Sequence, residues 1–222
     1  MKAVIDTGTM ITFSSTCLMN VFREFMRANK IELLISKKVA DESVWKPLEN
    51  KRFELNAARI KKTMNEGTVK VIPMTDQLEK ETNEIIGLAN SIFNSEGEAI
   101  TLLQYGESEA LAIARIRGAK AVFVDERTTR SLIENPSRLK QVLERRQNRR
   151  INVNYTNLEE FRKMFEGIKI FRSVDIIALA YNQNLFDGEL EHGKLELEAA
   201  LYATKYAGCA VSEREIAEYL KK

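Results

Sequence analysis

The stretch KAVIDTGT, residues 2–9, decides the fold of this chain. A short, mostly apolar run ends at Asp6 and is followed at once by a turn-like segment. The stretch AVFVDERT, residues 121–128, has the same form, with Asp125 in the place of Asp6. Continuous apolar runs of this length are typical of parallel strands that are covered on both faces. We therefore predict two buried strands that each place a carboxylate at their carboxyl end.

The rest of the chain alternates between strand-like and helix-like segments. Further strands are predicted over 31–35, 69–72 and 168–171. Helices are predicted over 14–29, 37–46, 50–65, 76–94, 107–115, 128–147, 157–166, 173–184, 194–206 and 212–221. This alternation predicts an α/β protein, a three-layer α/β/α sandwich with a central parallel sheet of about five strands.

Bulk composition excludes several classes of protein. The net charge of +2 gives no global signature of polyanion binding, so any contact with nucleic acid must come from a local patch. There is no apolar run of the ~20 residues that a membrane span needs. The chain contains neither a Walker A loop nor a GxGxxG motif, which argues against nucleotide binding by those routes. With no signal-like segment before the first strand, we expect a soluble, cytoplasmic protein without membrane contact.

The cysteines and the histidine limit the chemistry further. Cys17 and Cys209 are far apart and form no metal-ligand pattern, so both are expected to be reduced thiols in the core. His192 is the single histidine and lies in a polar, turn-like stretch, where we expect an exposed loop residue. Chemistry that needs two histidines is excluded, and no motif indicates a nucleophile that would work with His192.

Five acidic residues are expected to meet at one edge of the sheet. Asp6 and Asp125 end strands, Glu42 lies near the start of a helix after the second strand, and Glu107 and Glu109 open another helix. Ligands of open parallel sheets bind beyond the carboxyl ends of the strands. Carboxylates that meet there repel one another unless a cation lies between them. Mg²⁺ and Mn²⁺ prefer oxygen ligands, so this set predicts one or two such ions without any histidine.

Each of these acids also has a purely structural explanation. A strand-end Asp is often a turn or cap residue, and a Glu in a first helical turn complements the helix dipole. Asp175, a sixth candidate, follows Ser173 in a first helical turn, where capping and function are both plausible. The hypothesis of a metal site therefore depends on the combination of acids.

Polar and basic neighbours supply candidates for substrate contacts. Thr7 and Thr9 follow the first carboxylate and are placed to hydrogen-bond it or a phosphate. Arg127 and Arg130 follow Asp125, and guanidinium groups suit phosphate. The alternative for both arginines is pairing with acids along their own helix, such as Glu134. The basic run 145–150 is either a solvated helix face or a contact for nucleic acid.

Five segments, in this order, resemble the PIN-domain family. They are VIDTGT (4–9), VADE (39–42), GESEALAIA (106–114), VFVDER (122–127) and RSVDIIALA (172–180). The likeness covers about 1–130 and resumes near 168–186. It implies a PIN-like nuclease domain over 1–186, with a helical, basic insertion at about 128–167, and a C-terminal helical extension over 187–222.

The resemblance also implies site residues and an activity. Asp6, Glu42, Glu109 and Asp125 match the acidic positions and would be catalytic, with Glu107 as a further metal ligand and Glu126 as the alternative to Asp125. The chain departs from the pattern at Glu109, where most members carry Asp. Family members cleave single-stranded or structured RNA with Mg²⁺ or Mn²⁺, so we expect a metal-dependent endoribonuclease. The insertion is expected to guide RNA or to form a homo-oligomer contact, and a protein inhibitor is a further partner that the resemblance allows.

Two other functions remain open. A non-catalytic PIN-like module would bind RNA or a protein through the basic insertion. A Mg²⁺-dependent enzyme for small phosphate esters is the second alternative. A phosphatase that forms an aspartyl-phosphate usually carries an Asp two residues after the first, and Gly8 in that position argues against it.

Overall fold

The strands predicted around Asp6 and Asp125 lie side by side in one parallel sheet. The structure, a computed structural model, describes residues 1–67, 69–186 and 190–221. In chain order the strands are β1 (Lys2–Ile5), β2 (Glu32–Ser36), β3 (Val69–Ile72), β4 (Phe93–Ser95), β5 (Glu98–Ala99), β6 (Ala121–Phe123), β7 (Asn152–Val153) and β8 (Lys169–Phe171). The main sheet has five strands in the order β3-β2-β1-β6-β8, and every pairing in it is parallel. The predicted central sheet is therefore confirmed.

Helices cover both faces of this sheet. The helices before β6 are α1 (Thr7–Ser15), α2 (Met19–Ala28), α3 (Lys37–Ala40), α4 (Lys46–Leu48), α5 (Glu54–Asn65), α6 (Asp76–Asn90) and α7 (Tyr105–Arg117). A π-helix, Asp41–Trp45, connects α3 to α4. The helices after β6 are α8 (Arg127–Glu134), α9 (Pro136–Gln147), α10 (Tyr155–Met164), α11 (Ser173–Asn182), α12 (Lys194–Tyr206) and α13 (Glu213–Tyr219).

Alternating side chains divide the core into two halves. Ala3 and Ile5 of β1 pack with α1, α2 and α11, whereas Val4 between them packs with α6 and α7. Successive strand residues point to opposite faces, so a continuous apolar run fills both halves. The predicted three-layer α/β/α sandwich is confirmed. Helices α12 and α13 bury Leu201 and Ile216 in the same half as Ile5. Residues 187–189, where the predicted extension begins, lie outside the described residues.

A small second sheet was not predicted. Strands β4, β5 and β7 pair antiparallel in the order β5-β4-β7. The prediction of a helix to residue 94 was wrong, since α6 ends at Asn90. The side chain of Asn90 accepts hydrogen bonds from the N–H groups of Leu102 and Leu103, at 2.7 and 2.9 Å, and fixes the returning chain there. Glu96 and Gly97, both with positive φ, close the hairpin between β4 and β5.

Two predicted helices are each divided in two. The segment 14–29 breaks at Cys17, whose φ of 62° is left-handed, and Cys17 is exposed rather than part of the core. Asn135 ends α8 and its side chain caps α9, accepting from the N–H of Arg138 at 3.0 Å. Burial of Cys209 agrees with the prediction, and that burial raises the pKa of its thiol. His192 is exposed, as expected, and its ring stacks on that of Tyr181.

Helix caps show what local sequence could predict. Thr75 caps α6, and Ser212 and Glu215 form the predicted capping box of α13. The sequence indicates Thr156 or Asn157 as the cap of the helix predicted over 157–166, whereas Asn154 caps α10. Ser173 was predicted to cap α11 but is its first residue. Across the described ranges, no helix combines the length and the apolar character that crossing a membrane would require.

Candidate functional site

A cavity of about 340 Å³ lies at the carboxyl ends of β1 and β2 and contains four of the five predicted acids. We call it the acidic cavity. Its lining residues come from three separate parts of the chain: Asp6, Thr7, Gly8, Lys38, Val39, Glu42, Gln104, Gly106, Glu107 and Glu109. The sequence prediction that these acids approach one edge of the sheet therefore holds for these four.

Asp6 is the first residue after β1 and the N-cap of α1. One carboxylate oxygen, Oδ1, accepts a hydrogen bond from the N–H of Thr9 at 2.7 Å. The N–H of Asp6 donates to the carbonyl of Phe123 at 3.1 Å, which ties the residue to the end of β6. The turn expected after Asp6 is thus the start of a helix. Gly8 lacks a Cβ, and a Cβ there would lie 3.4 Å from Asp6 Oδ2.

Glu42 enters the cavity from the π-helix that follows α3. Helix α3, the π-helix and α4 follow one another without a break, so the helix predicted over 37–46 continues through Pro47 to Leu48. The Oε2 atom of Glu42 accepts from the hydroxyl of Thr7 at 3.1 Å, and its Oε1 lies 4.0 Å from the ammonium of Lys38. That ammonium also lies 5.1 Å from the ring centroid of Tyr105. Single-turn π-helical segments are frequent at functional sites because they displace side chains relative to an α-helix.

Helix α7 supplies the other two acids. Glu107 belongs to its capping box, with Oε2 accepting from the N–H of Gln104 at 3.1 Å. Glu109 is only 1% exposed, and its Oε2 is buried without a hydrogen-bond partner among the described residues. Burial raises the pKa of Glu109, while a hydrogen bond with Ser36 and the charge of Lys38 act in the opposite direction. A buried carboxylate oxygen without a hydrogen-bond partner is energetically costly.

Asp125 lies beside the acidic cavity but does not line it. Its Oδ2 accepts from the hydroxyls of Thr12 and Ser173, both at 2.8 Å, and its Oδ1 accepts from the N–H of Ser173 at 2.7 Å. The side chain is buried, and the carbonyl accepts from the N–H of Ala210 at 3.0 Å. Hydrogen bonds from Thr12 and Ser173 therefore fix the Asp125 carboxylate in place next to the cavity.

The electrostatics of the cavity centre on Asp6. Burial raises the pKa of Asp6 to about 7, and the charges of Asp125 and Glu107 add to this rise, whereas hydrogen bonding by Thr9 lowers it. Desolvation and like charges both disfavour an ionised carboxylate. A cation in the cavity would relieve both effects. Within the three described ranges, however, no three His, Cys, Asp or Glu side chains are close enough together to hold a metal ion.

The predicted substrate-contacting residues are divided between different places. Thr7 lines the acidic cavity. Thr9 is fully buried, and its backbone N–H donates a hydrogen bond to the carboxylate of Asp6. Arg127 and Arg130 line a second cavity of about 220 Å³, which none of the four acids above lines. Arg130 pairs with Glu134 at 2.7 Å along its helix, which is the structural alternative given above.

A network of ion pairs surrounds this second cavity. Arg130 and Arg172 both pair with Asp175, at 3.0 and 3.5 Å, and Arg172 also pairs with Glu215 at 3.1 Å. Tyr219 donates a further hydrogen bond to Asp175. Asp175 thus joins α11 to α8 and α13, and it takes part in the capping box of α11, which is one of the two roles considered for it above.

Sequence reasoning missed four residues that shape the site. Ser36 ends β2 and caps α3, and Lys38 follows it into the cavity. A Ser-Lys-Lys run directly after a strand was the available signal for both. Thr12 and Ser173 hold Asp125, and only the packing of α1 and α11 against β6 brings them to it.

Comparison of the chain with protein-family models, with curated proteins and with solved structures gives no match.

Proposed function

We propose that the acidic cavity binds Mg²⁺ or Mn²⁺ and that the protein is a PIN-like, metal-dependent endoribonuclease. The observation that carries the proposal is the presence of four carboxylates, from three separate segments, in one cavity at the carboxyl edge of a parallel sheet. Ligands of open α/β sheets bind at this edge. The motifs that resemble PIN domains contain all four of these acids.

The donor chemistry of the cavity fits a hard divalent cation. Asp6, Glu42, Glu107 and Glu109 offer only oxygen, the donor that Mg²⁺ and Mn²⁺ prefer. The unpartnered, buried Oε2 of Glu109 and the pKa of about 7 at Asp6 are both features that a bound cation would remove. No three of these side chains are close enough to hold one ion as they lie in the described ranges, so binding would require the four carboxylates to move together around it, with Asp125 adding negative charge behind them.

A bound ion of this kind polarises a phosphoryl oxygen and lowers the pKa of a water molecule, which is the nucleophile that we propose. The chain's own groups do the positioning. Thr7 fixes the orientation of Glu42 by its hydrogen bond. Gly8 keeps the space next to Asp6 Oδ2 free of a side chain. Lys38 places an ammonium in the cavity wall, where it would attract the phosphate of the scissile strand.

A second candidate function is a non-catalytic binding module. It is favoured by the finding that no three carboxylates of the described ranges converge closely enough for an ion. In this case the acids serve the fold, as Asp6 and Glu107 do in capping α1 and α7.

Cleavage of a labelled single-stranded RNA with Mn²⁺, Mg²⁺ or EDTA distinguishes the two functions. We expect cleavage with either metal, none with EDTA, and a loss of at least ~100-fold in the Asp6→Asn and Glu109→Gln variants. Asp76→Asn, the same chemical change at an exposed position of α6, is the matched control and should keep full activity. Cleavage that persists in Asp6→Asn would contradict the nuclease proposal, as would RNA binding without cleavage under every metal condition.

A further inference from the structure

Beyond the acidic cavity, the chain carries exposed aromatic rings that lie against cationic side chains. Trp45 is 46% exposed and Phe53 is 44% exposed. The ammonium of Lys61 lies 5.4 Å from the ring centroid of Trp45, and the guanidinium of Arg52 lies 5.4 Å from that of Phe53. A single exposed aromatic side chain is common on a protein surface, so the pairing of each ring with a cationic side chain is the feature that points to a ligand.

The position of Trp45 connects it to the acidic cavity. Glu42 and Trp45 belong to the same π-helix, three residues apart in the chain. Helix α5, which carries Lys61, packs against that π-helix. At the cavity itself, Lys38 lies over the ring of Tyr105 in the same kind of pair. Rings paired with cations are thus present both at the cavity and on the helices that follow it.

Charge identifies the class of ligand. Residues 45–62 contain six Lys or Arg and two Glu, a net charge of +4 in a chain whose total is +2. Neither Arg52 nor Lys61 forms an ion pair with an acidic side chain of the described residues. Proteins that bind single-stranded nucleic acid combine aromatic rings, on which bases stack, with a cationic surface along the backbone. An interface with an apolar protein surface would leave these cations without partners.

We propose that Trp45 and Phe53, with Lys61 and Arg52, form a platform on which a single-stranded polynucleotide stacks as it enters the acidic cavity. The inference depends on the proposed function for the direction of the strand, but the binding itself needs neither metal nor cleavage. Bases in a duplex are already stacked and paired, so the platform selects single strands. Stacking alone does not distinguish RNA from DNA, so the experiment uses oligonucleotides of both kinds.

Trp45 is the only tryptophan of the chain, so intrinsic tryptophan emission reports on this platform alone. We would titrate the 222-residue chain carrying Asp6→Asn in EDTA with unstructured RNA and DNA oligonucleotides of about ten nucleotides, and with the matching duplexes. Single strands should quench the emission, and duplexes should not. Quenching by RNA alone would add a requirement for the 2′-hydroxyl, whereas equal quenching by DNA would assign recognition to bases and phosphates.

Binding is measured in parallel by the anisotropy of a labelled oligonucleotide, which does not depend on Trp45. Trp45→Leu should weaken binding by about 5- to 100-fold, and Trp45→Phe should restore most of it. Lys61→Gln, at an exposed position, tests the platform without altering the packing of the indole. Tyr155→Leu is the control, since Tyr155 is 69% exposed and lies on α10, on the opposite face of the sheet.

Several outcomes would overturn the platform. Anisotropy that reports binding without quenching would place the strand elsewhere, and equal affinity for duplexes would remove the selectivity. Self-association that is lost in Trp45→Leu, without any binding of oligonucleotide, would identify a protein interface. If single strands quench the emission but the wild-type protein cleaves no RNA with either Mn²⁺ or Mg²⁺, the platform is supported and the proposed function is refuted. Cleavage that Trp45→Leu leaves unchanged would refute the platform alone.

Discussion

Replacing Asp6 by Asn should stabilise the metal-free protein and destabilise it, relative to wild type, when Mn²⁺ is present. The pKa of Asp6 rises from an ordinary value of 3.8 to about 7, chiefly through burial. The folded state therefore binds more protons than the unfolded state between about pH 4 and pH 7. Stability falls as the pH rises through that window, and the whole loss is present above about pH 7.

The magnitude follows from the change in proton affinity. Each tenfold change corresponds to about 1.4 kcal/mol, so the upper bound is roughly 4 kcal/mol. Asp6 lines an open cavity and is only partly buried, which reduces the expected gain to about 1–2 kcal/mol. Asn also caps helices well, so the N-cap bond to Thr9 survives the substitution.

Urea unfolding in EDTA, from about pH 4 to pH 8, measures this effect. We expect equal free energies of unfolding near pH 4 and a difference that grows to its full value near pH 8. Mn²⁺ at about 100 times its dissociation constant should then stabilise wild type by about 2.7 kcal/mol, and Asp6→Asn much less. Asp76→Asn should follow wild type throughout. A variant that is less stable than wild type near pH 8 in EDTA would refute the reasoning, because Asp6 would then be a stabilising carboxylate.

Three further substitutions test other parts of the site. Glu109→Gln should lower the affinity for Mn²⁺ by at least ~10-fold in calorimetry, while leaving metal-free stability equal or higher, because burial already raises the pKa of this carboxyl. Ser173→Ala removes one hydroxyl donor from buried Asp125 and should cost about 1–3 kcal/mol in urea unfolding. Tyr219→Phe removes the hydrogen bond to Asp175 and should cost about 1–3 kcal/mol. Because burial and the charge of Asp175 raise the pKa of Tyr219 to about 12, wild-type stability should fall as the pH rises from about 10 to 12, and the variant should lack this fall.

The strands, in their order along the chain, were predictable because the apolar runs that indicate them are local features of the sequence. Val4 and Val122 belong to continuous apolar runs, and such runs are stable only when both faces of the sheet are covered. Capping residues such as Thr75 and Ser212 were also predictable, since a cap acts on backbone groups two or three residues away. The break at Cys17 was not predictable, because its left-handed backbone conformation carries no glycine signal.

The sequence by itself determined which carboxylates follow strands or open helices, and hence that Asp6, Glu42, Glu107 and Glu109 reach one edge of the sheet. Only the tertiary structure decided that Asp125 is held behind that edge by Thr12 and Ser173. It also decided that Arg127 and Arg130 surround a different cavity. The physical reason is that strand ends and helix starts are fixed by contacts within a few residues, whereas the partners of a buried carboxylate such as Asp125 come from packing between segments that are 48 and 113 residues away in the chain.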